Sequence, residues 1–67
     1  METITRQFII TLEWEEMDGF ANGRPVLRTE TEEVIVSAES AAAALAIGRE
    51  MLAESDEGTT LRAVTPA

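Results

Sequence analysis

Apolar and polar residues alternate near the start of the chain. Between Thr5 and Glu15, the apolar side chains of one parity are Phe8, Ile10, Leu12 and Trp14. Period-two alternation with β-branched and aromatic residues is typical of a half-buried strand. The pattern therefore predicts a first strand over 5–15, with that parity facing the core and Ile9 facing the other way.

A second strand is predicted from Pro25 to Val36, although its pattern is less regular. Its ends are apolar, whereas residues 28–33 are polar throughout. Two arrangements fit this pattern. Either Leu27 faces inward and a bulge near Glu32 lets Val36 do so as well, or the polar middle is the exposed, overhanging end of a hairpin.

The segment between the two strands is rich in turn-forming residues. Asn22-Gly23 suits a two-residue hairpin turn because both residues tolerate positive φ. The whole stretch 16–24, however, predicts a longer loop. Phe20 lies in this polar stretch, where it either folds under the loop as a lid on the core, which we favour, or remains exposed as an interface anchor.

An amphipathic helix and a short last strand complete the pattern. Ser40 is the predicted N-cap, with Ser37 as an earlier alternative, of a helix over 41–54 that is dense in strong helix formers. Its apolar stripe comprises Ala44, Ile47, Gly48, Met51 and Leu52. A glycine on this stripe predicts that the helix approaches the sheet closely. Gly58 ends the helix, and residues 59–65 predict the third strand.

The order β-β-α-β predicts one small α+β domain over residues 1–67. The third strand is expected antiparallel beside the first, which gives a three-stranded, mainly antiparallel sheet in the order 2-1-3 with the helix packed on one face. One helix leaves the other face open. Ile9 and Ile35 are expected there, and we interpret that face as a candidate self-association surface.

The composition of the chain excludes most kinds of catalytic and metal-binding site. The chain has 13 Asp or Glu residues, five Arg and a net charge of −8, but no His, Cys, Lys or Tyr. Most side chains that transfer protons, attack as nucleophiles or bind soft metals near neutral pH are absent. We therefore expect a non-enzymatic protein without cofactor or metal. The sequence also predicts no membrane span and no signal peptide, so the expected location is cytoplasmic.

The acidic surface favours a basic protein partner and disfavours direct binding to nucleic acid or anionic lipid. The candidate partner-binding residues lie on the two hairpin strands and in their connection: Glu13, Glu15, Asp18, Phe20, Glu30, Glu32 and Glu33. Carboxylates spaced along strands can stand in for phosphates, so a surface that normally holds nucleic acid is a suitable target.

In size, charge and β-β-α-β make-up, the whole chain resembles the small acidic inhibitors encoded by phages and mobile elements, such as DNA mimics and anti-CRISPR proteins. The resemblance implies an inhibitor that docks on a basic, nucleic-acid-binding surface of a protein partner, and it transfers no functional residues. The alternative is a homo-oligomeric structural or assembly protein, for example a homodimer that uses the open sheet face.

Overall fold

A computed structural model of the protein describes residues 4–67. Its elements are strand β1 (Arg6–Ala21), strand β2 (Arg24–Ala38), helix α1 (Ala41–Glu54) and strand β3 (Thr60–Pro66). The sheet has the order β2-β1-β3, and β1 pairs antiparallel with both neighbours. The predicted α+β fold and its strand order are therefore confirmed.

The core lies between α1 and the first half of β1. Phe8, Ile10 and Leu12 alternate along the central strand, and all three are buried; Ile10 has no exposed surface. Ala38 at the end of β2 and Ala44 in α1 are buried as well. The helix therefore covers the parity that the alternation predicts to face inward.

Helix α1 begins and packs as predicted. The Ser40 hydroxyl accepts a hydrogen bond from the backbone N–H of Ala43 at 3.1 Å, which caps the first turn. Gly48 is buried against the sheet. A Cβ atom at this position would lie 2.5 Å from Cδ1 of Leu61 and 3.4 Å from Cγ2 of Ile10. The missing side chain is thus what lets the helix approach the sheet closely.

The hairpin is tighter than the sequence predicts. Strand β1 continues to Ala21 and β2 starts at Arg24, so the predicted loop over 16–24 is wrong. The turn consists of Asn22 and Gly23 alone, with φ of 54° and 77°. Positive φ at both central residues is the type I′ geometry, whose twist matches that of the strands it joins.

A bulge in β1 changes the face on which Phe20 lies. Met17 pairs with Leu27 and Phe20 pairs with Pro25, so two residues of β1, 18 and 19, oppose a single residue of β2. Gly19 carries the positive φ of 96° at this irregularity. Without the extra residue, Phe20 would face the helix side; with it, Phe20 shares the open face with Met17.

Strand β2 follows β1 without interruption from Ala38 back to Leu27. The predicted bulge near Glu32 is therefore wrong, and the alternative, an overhanging polar end of the hairpin, is correct. Val36 pairs with Phe8 and faces the helix, whereas Leu27 faces away from it. The apolar side chains at the two ends of β2 lie on opposite faces of the sheet. A single alternation of apolar and polar residues therefore cannot fit both ends.

Candidate functional site

The outer part of the hairpin projects beyond the three-stranded sheet. Strand β3 pairs with β1 only from Phe8 to Glu13. Residues 14–30 therefore form a two-stranded ribbon, which we call the arm. The molecule measures 62 × 21 × 12 Å, whereas a helix of 14 residues is only about 21 Å long. The helix thus leaves the arm uncovered on both faces.

One face of the arm is apolar and exposed. Met17, Phe20 and Leu27 are 60%, 70% and 59% exposed, and the strand register places them with Pro25 on the open side of the sheet. We call these four residues the arm patch. The prediction that Phe20 is a lid on the core is wrong, because the tight turn and the bulge carry it away from the helix.

The opposite face of the arm carries an ion-pair cluster around Arg28. Its guanidinium contacts Glu16 at 3.2 Å and Asp18 at 3.5 Å, and it also pairs with Glu30. The indole N–H of Trp14 donates a hydrogen bond to Glu16 at 2.9 Å. This bond, followed by the contact with Arg28, lowers the pKa of Glu16, and the same carboxylates raise the pKa of Arg28. The cluster therefore keeps Glu16 ionised into acidic solution.

An open notch of about 700 Å³ lies where the arm leaves the core, beside the end of α1. No basic side chain lines it, and seven carboxylates do: Glu13, Glu15, Glu16, Glu32, Glu54, Asp56 and Glu57. The last turn of α1 also contains no basic residue, so the negative end of the helix dipole adds to the same field.

The structure divides the predicted partner-binding residues between surfaces. Three of them, Glu13, Glu15 and Glu33, belong to the open face by their register. The three on the helix side are Asp18, Glu30 and Glu32, while Phe20 joins the arm patch. Two of the acids are engaged in ion pairs with Arg28, and Glu13 lies 3.3 Å from Arg62. The predicted set is therefore not one continuous surface.

Sequence reasoning missed the partners that complete these surfaces. Met17 and Leu27 become cross-strand partners only through the bulge, because counting outward from the Asn22-Gly23 turn without it places Met17 opposite Arg28. Glu54, Asp56 and Glu57 lie at the end of α1 and in the turn that follows it. Their place beside the arm depends on the antiparallel return of β3, which no local pattern reveals.

The candidate self-association residues lie where the sequence predicts. Ile9 and Ile35 are direct cross-strand partners on the open face. Ile35 is 63% exposed, and Ile9 is half-buried. The pair is separated from the arm patch by a polar stretch that contains Glu13 and Glu15, so the open face has two small apolar areas rather than one large one.

Comparison with protein-family models, with curated proteins and with solved structures gave no match. Among residues 4–67, no three acidic side chains come together in a way that could hold a metal ion. The helix in this part of the chain is too short and too polar to cross a membrane. Inference about function therefore depends on the arm and the notch themselves.

Proposed function

We propose that this protein is a non-enzymatic protein-binding module that docks through its arm on a basic surface of a protein partner. The arm patch carries the proposal. Met17, Phe20 and Leu27 are exposed on the arm, which neither the helix nor β3 covers. Exposed apolar side chains surrounded by charge are typical of interaction sites, and an aromatic side chain such as Phe20 is a suitable anchor.

Charge supports a basic partner. A net charge of −8 on 67 residues steers the protein toward positive surfaces and repels nucleic acid. Carboxylates lie on both faces of the arm, so the partner's basic groups can meet it from either side. A basic surface that normally holds nucleic acid fits this description, and occupying it makes the protein an inhibitor of the phage or mobile-element type.

Self-association through the open face is the second candidate, favoured by the exposure of Ile35 beside Ile9. The salt dependence of association distinguishes the two candidate functions. Docking on a basic surface weakens steeply as salt screens the charges, whereas an apolar contact between copies holds or strengthens. Light scattering at low and high salt therefore reports directly on the second candidate.

The proposal is tested by salt-gradient elution of partners captured from a bacterial lysate, with two variants of equal net charge. The first reverses Glu15 on the arm and Glu32 at its base, both of which line the notch (Glu15→Arg/Glu32→Arg). The control reverses Glu39 and Glu50, which are exposed away from the arm. Captured proteins are then challenged with DNA, because a partner with a nucleic-acid-binding surface must be displaced by it.

We expect the arm variant to lose the captured partner or to release it at much lower salt, while the control behaves like the wild type. Equal retention by both variants would show that binding depends only on total charge and would contradict docking through the arm. A salt-resistant dimer with no captured partner would instead favour the open-face function.

A further inference from the structure

The arm has a free strand edge on the side of β3. On that side, the backbone carbonyl of Gln7 accepts a hydrogen bond from the backbone N–H of Ala67 at 3.0 Å, and the carbonyl of Glu13 accepts one from the hydroxyl of Thr60 at 3.4 Å. Because backbone groups alternate along an antiparallel strand, the N–H and C=O groups of Glu15 and Met17 point the same way. No strand within residues 4–67 pairs with them there, since β3 begins opposite Glu13.

We propose that this edge, Glu15 to Met17, binds an extended basic segment of the partner as an added antiparallel strand that continues the line of β3. This inference rests on the proposed function and specifies its binding mode. An exposed strand edge is a ready template for pairing, and strand addition gives affinity through the backbone and specificity through alternate side chains.

The negative charge of the notch favours basic side chains on the helix side of the added strand. Side chains of the added strand that face this side enter the notch, where Glu32, Glu54 and Asp56 form no ion pair within the described residues. The half-buried Trp14 also lines the notch, and a tryptophan is the side chain that best attracts a guanidinium or ammonium group through its ring. A second copy of this chain would bring the same carboxylates together, so charge disfavours it as the occupant.

The arm patch identifies the other side chains. Alternate residues of the added strand face the open side, beside Met17, and a longer segment also reaches Phe20. Apolar side chains at these positions would cover part of the exposed patch. The occupant is therefore an extended segment in which basic residues alternate with apolar ones.

A fluorescein-labelled peptide of eight residues, alternating Arg and Val, is the probe. An antiparallel strand beside β1 places the Val residues opposite Glu15 and Met17, so the Val N–H groups donate to the edge and the Arg N–H groups point outward. N-methylation of the Val residues removes the pairing donors. N-methylation of the Arg residues removes an equal number of donors that are not used. Anisotropy measures the affinity of all three peptides.

A matched pair of protein variants tests the edge from the other side. Met17 on β1 and Thr29 on β2 lie on the same face of the arm, and their N–H groups point to opposite edges. Met17→Pro removes a donor from the proposed edge, and Thr29→Pro, at a residue outside the arm patch, removes one from the outer edge of β2. Proline at these positions breaks no hydrogen bond between β1 and β2. Circular dichroism checks that both variants remain folded.

We expect N-methylation of the Val residues to weaken binding at least tenfold, since two or three backbone hydrogen bonds to the edge are lost. Met17→Pro is expected to weaken peptide binding about fivefold, and Thr29→Pro much less. Equal binding of the three peptides, or equal effects of the two prolines, would overturn strand addition while leaving docking of a basic partner intact. Loss of arm-dependent capture, by contrast, would overturn the proposed function itself. Failure of every peptide to bind, alongside successful arm-dependent capture, would overturn this inference alone.

Discussion

The two isoleucines Ile10 and Ile35 offer a direct comparison between the covered and the open face of the sheet. Ile10 has no exposed surface, whereas Ile35 is 63% exposed. Truncation to alanine removes the same atoms at both positions. Ile10→Ala leaves a cavity under the helix, and such truncations cost about 2–5 kcal/mol. Ile35→Ala removes a side chain that is only about one-third out of water, so we expect a cost of roughly 0.5–1 kcal/mol.

These magnitudes are large for so short a chain. At about 0.05–0.15 kcal/mol per residue, 67 residues give a free energy of unfolding of roughly 3–10 kcal/mol. Ile10→Ala therefore brings the protein close to unfolding at room temperature, and Ile10→Val, at about 0.5–1.5 kcal/mol, is the milder variant. A domain of this size loses about 4–8 °C in Tm per kcal/mol.

Urea and thermal unfolding followed by circular dichroism, at several protein concentrations, measure these differences. We expect Ile35→Ala to have a small effect that does not depend on concentration. A cost at Ile35 equal to that at Ile10 would refute the assignment of an open face. If that cost also grew with protein concentration, it would show that the open face is buried between copies, which is the alternative function.

Three further predictions concern single contacts. Glu16 has a lowered pKa, so the stabilisation from its contacts with Trp14 and Arg28 is present above the ordinary pKa of glutamate and is lost as pH falls through the lowered value. The fluorescence of Trp14, the single tryptophan, should follow this transition. Glu16→Gln should abolish the transition. Gly48→Ala should destabilise the protein by about 1 kcal/mol, because crowding against Leu61 outweighs the gain in helix propensity. In a Leu61→Ala background, urea unfolding should show that Gly48→Ala no longer causes this loss of stability. In Gly19→Ala, the new Cβ atom has no neighbour within 4 Å, but alanine is forced to a φ of 96°. Amide exchange in the arm should therefore accelerate by about fivefold or more, as expected for a local cost of at least 1 kcal/mol.

The elements of the fold were predictable because their signals are local. The alternation through Phe8, Ile10 and Leu12 identifies the central strand, and the Ser40 cap followed by strong helix formers identifies the helix. Strand order followed from the antiparallel preference of small mixed sheets. Each of these inferences uses residues that are neighbours in sequence or a general rule of topology.

The arm was predicted less well because its geometry depends on one inserted residue. The bulge at residues 18 and 19 reverses the parity of β1, so Phe20 moves to the face of Met17. Bulges leave little trace in a polar stretch, and only a glycine such as Gly19 hints at one. The notch was missed for a different reason, since it joins residues 12–16 to residues 54–59 across the fold.

The hydrogen-exchange footprint of the protein in complex with a captured partner tests the central claim most directly. Docking through the arm predicts slowed exchange over residues 14–20 and 54–59, with the strongest protection at the backbone amides of Glu15 and Met17. Exchange at Ile9 and Ile35 should be unchanged. Protection confined to the open face around Ile9 and Ile35, with the arm unaffected, would contradict the account.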